Sequence, residues 1–295
     1  MIDSHLHVWD LGPLPEPNVG AQPGSGVGSG DGQRPYSWLG PQHGALFRTF
    51  GEDEAGTVLE AAGVRGAVLV QADDTVADTH SMLAVAARNP WVRGVVGWIR
   101  LDTPSVAAAQ LDVFAANPVF RGVRHLVHDD PRDDFLELPA VRESLGLLAK
   151  RGLAFDVPDA FPRHLGQAVR LARDLPELTV VLDHLGKPPL ADSGAMDAWR
   201  ADFRALGRQA NSVAKLSGLH LPGVEYSAEF LRPLFDEALA VFGPGRLMIG
   251  SDWPVSTLGA PYGRTLEVLL ELVSELARDE QDAVLEGTAA RTYRL

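Results

Sequence analysis

The chain has 295 residues, 45% of them hydrophobic and 22% charged, with a formal net charge of -13 and no cysteine. That composition is ordinary for a globular protein, and the length suits one α/β barrel as well as two smaller domains. The acidic balance argues against nucleic acid and anionic membranes as partners, and the lack of cysteine excludes disulfides, thiolate nucleophiles and Cys-based zinc sites.

Met1-Ile2-Asp3-Ser4-His5 reads as a first strand. It has neither the basic region nor the apolar run of a secretory signal, and no stretch approaches the ~18 apolar residues of a membrane span. A cytoplasmic protein is the expectation. Residues 11–35 are rich in glycine and proline and bury little, so a flexible loop is expected after the first strand, either a tolerated insertion or a lid. Tyr36-Ser37-Trp38-Leu39 would anchor it.

The next runs are Ala67-Val68-Leu69-Val70, Val95-Val96-Gly97-Trp98-Ile99, Gly122-Val123-Arg124 and Leu153-Ala154-Phe155. Thr179-Val180-Val181-Leu182, Val213-Ala214-Lys215-Leu216 and Leu247-Met248-Ile249-Gly250 complete eight. Runs this apolar read as parallel strands covered on both faces. Between them, residues 81–88, 106–116, 141–150 and 164–173 are Ala- and Leu-rich with helical spacing. Pro104, Pro139 and Pro162 fit helix starts, and Gly152 after Lys150-Arg151 fits a helix end. The alternation predicts a single (β/α)₈ TIM barrel over residues 1–295, with an open doubly wound sheet as the rival. No Gly-x-Gly-x-x-Gly links a strand to a helix, which weakens a dinucleotide-binding version of that rival.

Polar residues gather where the runs stop. They are His5 and His7, Gln71, Trp98 and Arg100, Arg124 and His125, Asp156, Asp183-His184, Lys215 and Ser217, and Ser251-Asp252-Trp253-Pro254. In a barrel these strand ends converge on one mouth. His5 and His7, two apart on a strand, share a face and can hold a cation or a polarised carbonyl between them. Asp252 reads as a metal ligand, a general base or a helix cap. His184 reads as a site residue or as a buried histidine paired with Asp183. Arg124-His125 suits a substrate carboxylate or oxyanion, or an internal ion pair. Trp98 and Trp253 either flank a ring or pack. His128 and His220 are reserve candidates. Asp73, Asp74 and Asp78 read as a solvated loop and helix start.

Asp3-Ser4-His5-Leu6-His7-Val8-Trp9-Asp10, Gly122-Val123-Arg124-His125, Leu182-Asp183-His184-Leu185-Gly186-Lys187-Pro188, Lys215-Leu216-Ser217-Gly218 and Gly250-Ser251-Asp252-Trp253-Pro254 follow in order. Together they resemble the amidohydrolase superfamily, in its branch of sugar-lactone and pyrone-dicarboxylate lactonases. The resemblance implies a hydrolase that opens a lactone, with His5, His7, His184 and Asp252 as metal ligands and Asp252, His184 and His125 as catalytic residues. Gln71, Trp98, Arg124 and Trp253 would bind substrate. Asp156 stands where metal-rich members carry a histidine, and the fourth strand offers no lysine to bridge two metals. One divalent ion, zinc by preference, or none is therefore implied. Arg100 stands where relatives commonly carry an acid. A metal-dependent decarboxylase and a silent ligand-binding barrel are the rival functions. A homodimer is compatible with the sequence.

Overall fold

The computed structural model describes residues 1–12 and 35–295, so most of the expected Gly/Pro-rich loop lies outside the described residues. Eight parallel strands lie in sequence order in one sheet. They are β1 (Ile2–Leu6), β2 (Gly66–Val70), β3 (Val92–Gly97), β4 (Phe120–Arg124), β5 (Ala154–Val157), β6 (Val180–Leu182), β7 (Ser212–Leu216) and β8 (Leu247–Ile249). The sheet curls until its edges meet: Leu6 bridges Trp253, His7 N donates to Trp253 O at 2.7 Å, and Asp252 N donates to His5 O at 2.8 Å. The (β/α)₈ barrel is the observed fold, and its closure excludes the open doubly wound sheet.

The outer ring is α1 (Glu52–Ala61), α2 (Val76–Arg88), α3 (Pro104–Phe114), α4 (Pro139–Arg151), α5 (Leu165–Asp174), α6 (Met196–Gly207), α7 (Ala228–Phe242) and α8 (Tyr262–Val273). Pro104 and Pro139 open their helices, and Gly152 ends α4 at φ 63°. Only a residue without a Cβ adopts that conformation at little cost. Helix α2 starts five residues earlier than the apolar pattern suggests because the Thr75 side chain accepts from Asp78 N. This is an N-cap, which satisfies a donor the helix itself cannot. Pro162 opens no helix; α5 begins at Leu165. No helix among the described residues is long and apolar enough to cross a membrane.

Successive residues of a strand face opposite sides, so the barrel interior is read by twos. Val181 precedes Asp183, Val213 precedes Lys215, and Met248 precedes Gly250 and Asp252. Val181, Val213 and Met248 join Ile2, Val68, Val70, Val96 and Ala154 in an inner apolar cluster, closed from below by Ala289 and Tyr293 of the C-terminal helix α9 (Thr288–Tyr293). The larger apolar core lies between sheet and helices. Interior side chains therefore change from apolar to polar as each strand ascends, and the polar ones form the site.

Candidate active site

The first ring of polar residues above the apolar plug is charged. The Lys215 Nζ lies 2.6 Å from Asp156 Oδ2 and 3.0 Å from Asp183 Oδ1, with all three side chains fully buried. Tyr293 OH donates to Asp156 Oδ2 at 2.7 Å. Arg124 Nε donates to Asp183 Oδ2 at 2.9 Å, and its Nη1 donates to Gln71 O at 2.9 Å. Two carboxylates thus share two cations, the condition under which buried charge is tolerated. The division is uneven. Burial raises the Asp183 carboxyl, but Lys215, His5 and Arg124 bring it well below the ordinary range. Burial pushes Asp156 up to about 6 against the pull of Lys215, and its Oδ1 has no hydrogen-bond partner.

Above this ring sit His5, His7, His184 and Asp252. His5 Nε2 and His7 Nε2 are 3.1 Å apart. Asp252 Oδ1 lies 3.3 Å from His7 Nε2, 3.7 Å from His5 Nε2 and 3.8 Å from His184 Nε2. His7 Nδ1 is 2.8 Å from Val70 O, which can only accept. In the neutral ring, Nε2 therefore carries its lone pair toward His5. His5 Nδ1 faces Asp183 Oδ1 at 3.3 Å and Lys215 Nζ at 3.2 Å, and His184 Nδ1 faces Ser217 Oγ at 2.9 Å. Burial lowers both His5, strongly, and His184, which favours neutral imidazoles. Burial raises Asp252, but the surrounding His184, His7 and His5 rings outweigh it and hold the carboxyl well below its usual value.

Lone pairs set this close repel unless a proton or cation lies between them. A tetrahedron of ~2.0–2.1 Å zinc bonds has edges of roughly 3.3 Å, close to the 3.1, 3.3 and 3.7 Å separations of His5, His7 and Asp252. The donor set fits one divalent ion. His5, Asp183 and His184 also lie within ligand reach of one another, but the Lys215 ammonium stands against both His5 and Asp183.

Backbone conformation serves the same end. Asp159, His184, Leu185, Lys187 and Asp252 all have positive φ, a strained state for residues with a Cβ that persists where surrounding contacts enforce it. A Cβ on Gly218 would lie 2.4 Å from His184 Nδ1, and one on Gly250 would lie 2.6 Å from His5 Cβ. Both glycines leave room for an imidazole.

The site opens into a cavity of about 160 Å³ lined by His7, His184 and Asp252 together with Arg124, Trp9 and Trp38, among others. That is below the ~300–1,000 Å³ of pockets for drug-sized ligands. Of the expected site residues, the fold brings His5, His7, His184 and Asp252 together and sets Arg124 on the wall. Arg124 makes the internal ion pair as well, and Asp183 turns down to Lys215 rather than pairing with His184.

Gln71, Trp98, His125 and Trp253 are not part of the cavity lining. Trp98 Nε1 donates to His125 Nδ1 at 3.1 Å, His125 Nε2 faces Asp130 Oδ2 at 3.1 Å, and the ring stacks on Phe135 at 4.0 Å. Both nitrogens are thus engaged outside the cavity lining, and burial takes His125 down to about 4 despite Asp130. The Gln71 amide donates to Asp74 Oδ1 at 3.0 Å, and Trp253 packs edge-on against Phe50. Arg100 is outside the lining, its side chain half exposed beside Asp102. Asp78 is buried rather than solvated, accepting from Tyr36 OH and Ala72 N.

Sequence reading missed Asp159, Lys187, Trp9 and Trp38 as cavity walls. Asp159 follows Pro158 just after β5 and looks like turn chemistry, although a position two past a strand end is a usable signal in a barrel. Trp38 was legible only as a loop anchor; its indole N–H donates to Ala72 O at 2.7 Å, and most of the loop lies outside the described residues. His128, a reserve candidate, lines the cavity; His220 does not.

A family model described as "Amidohydrolase" matches residues 2–295. An L-fucono-1,5-lactonase of Burkholderia ambifaria is 33% identical over 300 residues, covering 100% of this chain and 95% of the relative. A second L-fucono-1,5-lactonase, of Burkholderia multivorans, is 32% identical over 272 residues, covering 88% and 91%. A crystal structure of a Burkholderia multivorans amidohydrolase with bound zinc superposes with a TM-score of 0.82 at 30% identity, covering 100% of this chain and 99% of that one.

Proposed function

This chain belongs to the amidohydrolase family, and we propose that it is a lactonase, a hydrolase that opens the ring ester of a small lactone with water. One observation carries the reading: Asp252 Oδ1 faces three imidazole nitrogens, at 3.3, 3.7 and 3.8 Å, on the floor of a small cavity at the C-terminal mouth of the barrel. The similarity to two L-fucono-1,5-lactonases over most of both chains supports it.

His5, His7 and Asp252, with His184 beside them, are the residues that would hold one divalent ion. Zinc is the proposed identity because the donors are nitrogen-rich and because the Burkholderia multivorans relative binds it. When bound, such an ion supplies Lewis acidity toward the ring carbonyl and eases deprotonation of water.

Asp252 takes a proton from the attacking water as the water oxygen bonds to the carbonyl carbon. His184, oriented by Ser217, steadies the charge that develops on the carbonyl oxygen. Asp252 then returns the proton to the ring oxygen as the C–O bond breaks, leaving a hydroxy acid. Arg124, pinned by Asp183 and Gln71 O, presents the remainder of its guanidinium to the substrate.

A panel of lactones read by acid release, on protein whose metal content is measured in the same sample, tests the proposal. Turnover that is lost on chelation and restored by zinc is expected. A folded, metal-replete protein that hydrolyses no lactone would overturn it.

A further inference from the structure

The cavity has two unlike walls. On one side of the barrel stand Trp9 and Trp38, which follow β1, and Val255, which follows β8. The indole N–H of each tryptophan is already spent, Trp9 on Arg48 O and Trp38 on Ala72 O, both at 2.7 Å. What the tryptophans present to a ligand is therefore apolar ring. The other side carries Asp129, Asp159, His128 and Lys187.

Asp159 is the distinctive member. Among the described residues no hydrogen bond reaches its carboxylate, whose nearest ionic partner is Lys187 Nζ at 3.8 Å, and its side chain keeps 30% of its surface open. Lys187 is held by Gly218 O at 3.2 Å. Both residues sit at positive φ, 41° and 60°, so their positions are imposed by the fold.

The charge balance weighs against one class of substrate. Among the described residues, Arg124 and Lys187 are the lining cations, against the carboxylates of Asp129, Asp159 and Asp252. Arg124 is committed to Asp183, and Lys187 faces Asp159. The lining therefore carries more negative than positive charge, while Asp159 keeps acceptor capacity toward the cavity.

We infer that Asp159, braced by Lys187, is a specificity-determining residue that selects a neutral, polyhydroxylated lactone and rejects a carboxylated one. Its oxygens accept from ring hydroxyls while the opposite, C–H face of the ring lies on Trp9 and Trp38. The inference rests on the lactonase reading and names which lactones that reaction takes.

The test compares Asp159→Asn with the parent, both zinc-loaded, on two probes: an aldono-1,5-lactone and 2-pyrone-4,6-dicarboxylate. Asparagine tolerates positive φ, and unchanged thermal unfolding checks the fold. The parent is expected to prefer the aldonolactone. The variant should raise KM for the aldonolactone about tenfold, with a smaller effect on kcat, since a charge-assisted hydrogen bond becomes a neutral one. It should improve kcat/KM for the dicarboxylate, because a repulsive charge is gone. A parent that prefers the dicarboxylate overturns the inference and leaves the lactonase reading standing, as does a variant that loses both substrates in equal proportion. A parent that hydrolyses no lactone at all overturns both.

Discussion

His5, His7, His184 and Asp252 at the mouth, and Lys215, Asp156 and Asp183 beneath them, are a hydrogen bond apart. In the lower ring, two carboxylates meet the two cations Lys215 and Arg124, and the site is sealed from below by Tyr293. In the upper ring, imidazole nitrogens and a carboxylate oxygen converge, and Lys215 stands beneath them against His5 Nδ1. Both rings are buried but unlike in kind: the lower one pairs its own charges beneath the site, while the upper one gathers the imidazoles and the carboxylate that would hold a divalent ion.

That contrast predicts different failures. Asp252→Asn should have the largest effect, lowering lactone kcat/KM by ~10²–10⁴-fold, the usual worth of a positioned proton-transfer group, with the fold retained by circular dichroism. Intact turnover in the folded variant would exclude Asp252 as the base.

Lys215→Met should act first on stability. It leaves two buried carboxylates short of a cation, and breaking a buried pair from one side costs about 3–5 kcal/mol. Denaturant unfolding measures this, and a loss below about 1 kcal/mol would mean that the lower ring does not depend on its ammonium. Tyr293→Phe removes a single donor to a carboxylate, worth about 1.5–3 kcal/mol. Its unfolding midpoint should fall between those of Lys215→Met and the parent.

Asp78 offers the smallest test and a sign. Burial raises its carboxyl to about 6, with Tyr36 OH as a neutral donor and no cation in hydrogen-bonding contact. A raised folded value means that the group's contribution is full below pH ~4, where the unfolded chain is also protonated, and is lost as pH rises through about 6. Asp78→Asn should therefore gain stability relative to the parent between pH 4 and pH 7. A difference in unfolding temperature that stays constant across that range would sink the argument.

The upper ring was legible in the sequence because a parallel strand buried on both faces is an apolar run, so a polar residue at its end stands out. His5, His7, His184 and Asp252 are all such interruptions, and a barrel makes them converge. The lower ring was half legible. Asp156, Asp183 and Lys215 were visible as strand-end residues, but their pairing joins positions on three different strands, and no local pattern encodes it. His125 shows the limit from the other side. Its place beside Arg124 after β4 looks like that of a site residue. Whether the ring turns inward depends on Trp98, Asp130 and Phe135, which reach it from elsewhere in the chain. The walls were the least legible, since Asp159 and Lys187 owe their exposure to positive-φ backbone that residue type alone does not announce.

The closure of the barrel also sets when the site can exist. His7 and Asp252 stand at opposite ends of the sequence and meet only when β8 docks beside β1, through the contacts of His5, Leu6 and His7 with Asp252 and Trp253. On the ribosome the histidine pair emerges long before its carboxylate arrives. A truncated or stalled product therefore carries imidazoles without their partner, and no partly made chain holds the assembled centre. Contacts of such long sequence separation are also slow to form, and the site cannot be competent before this seam has closed. Recovered activity during refolding would time that single seam.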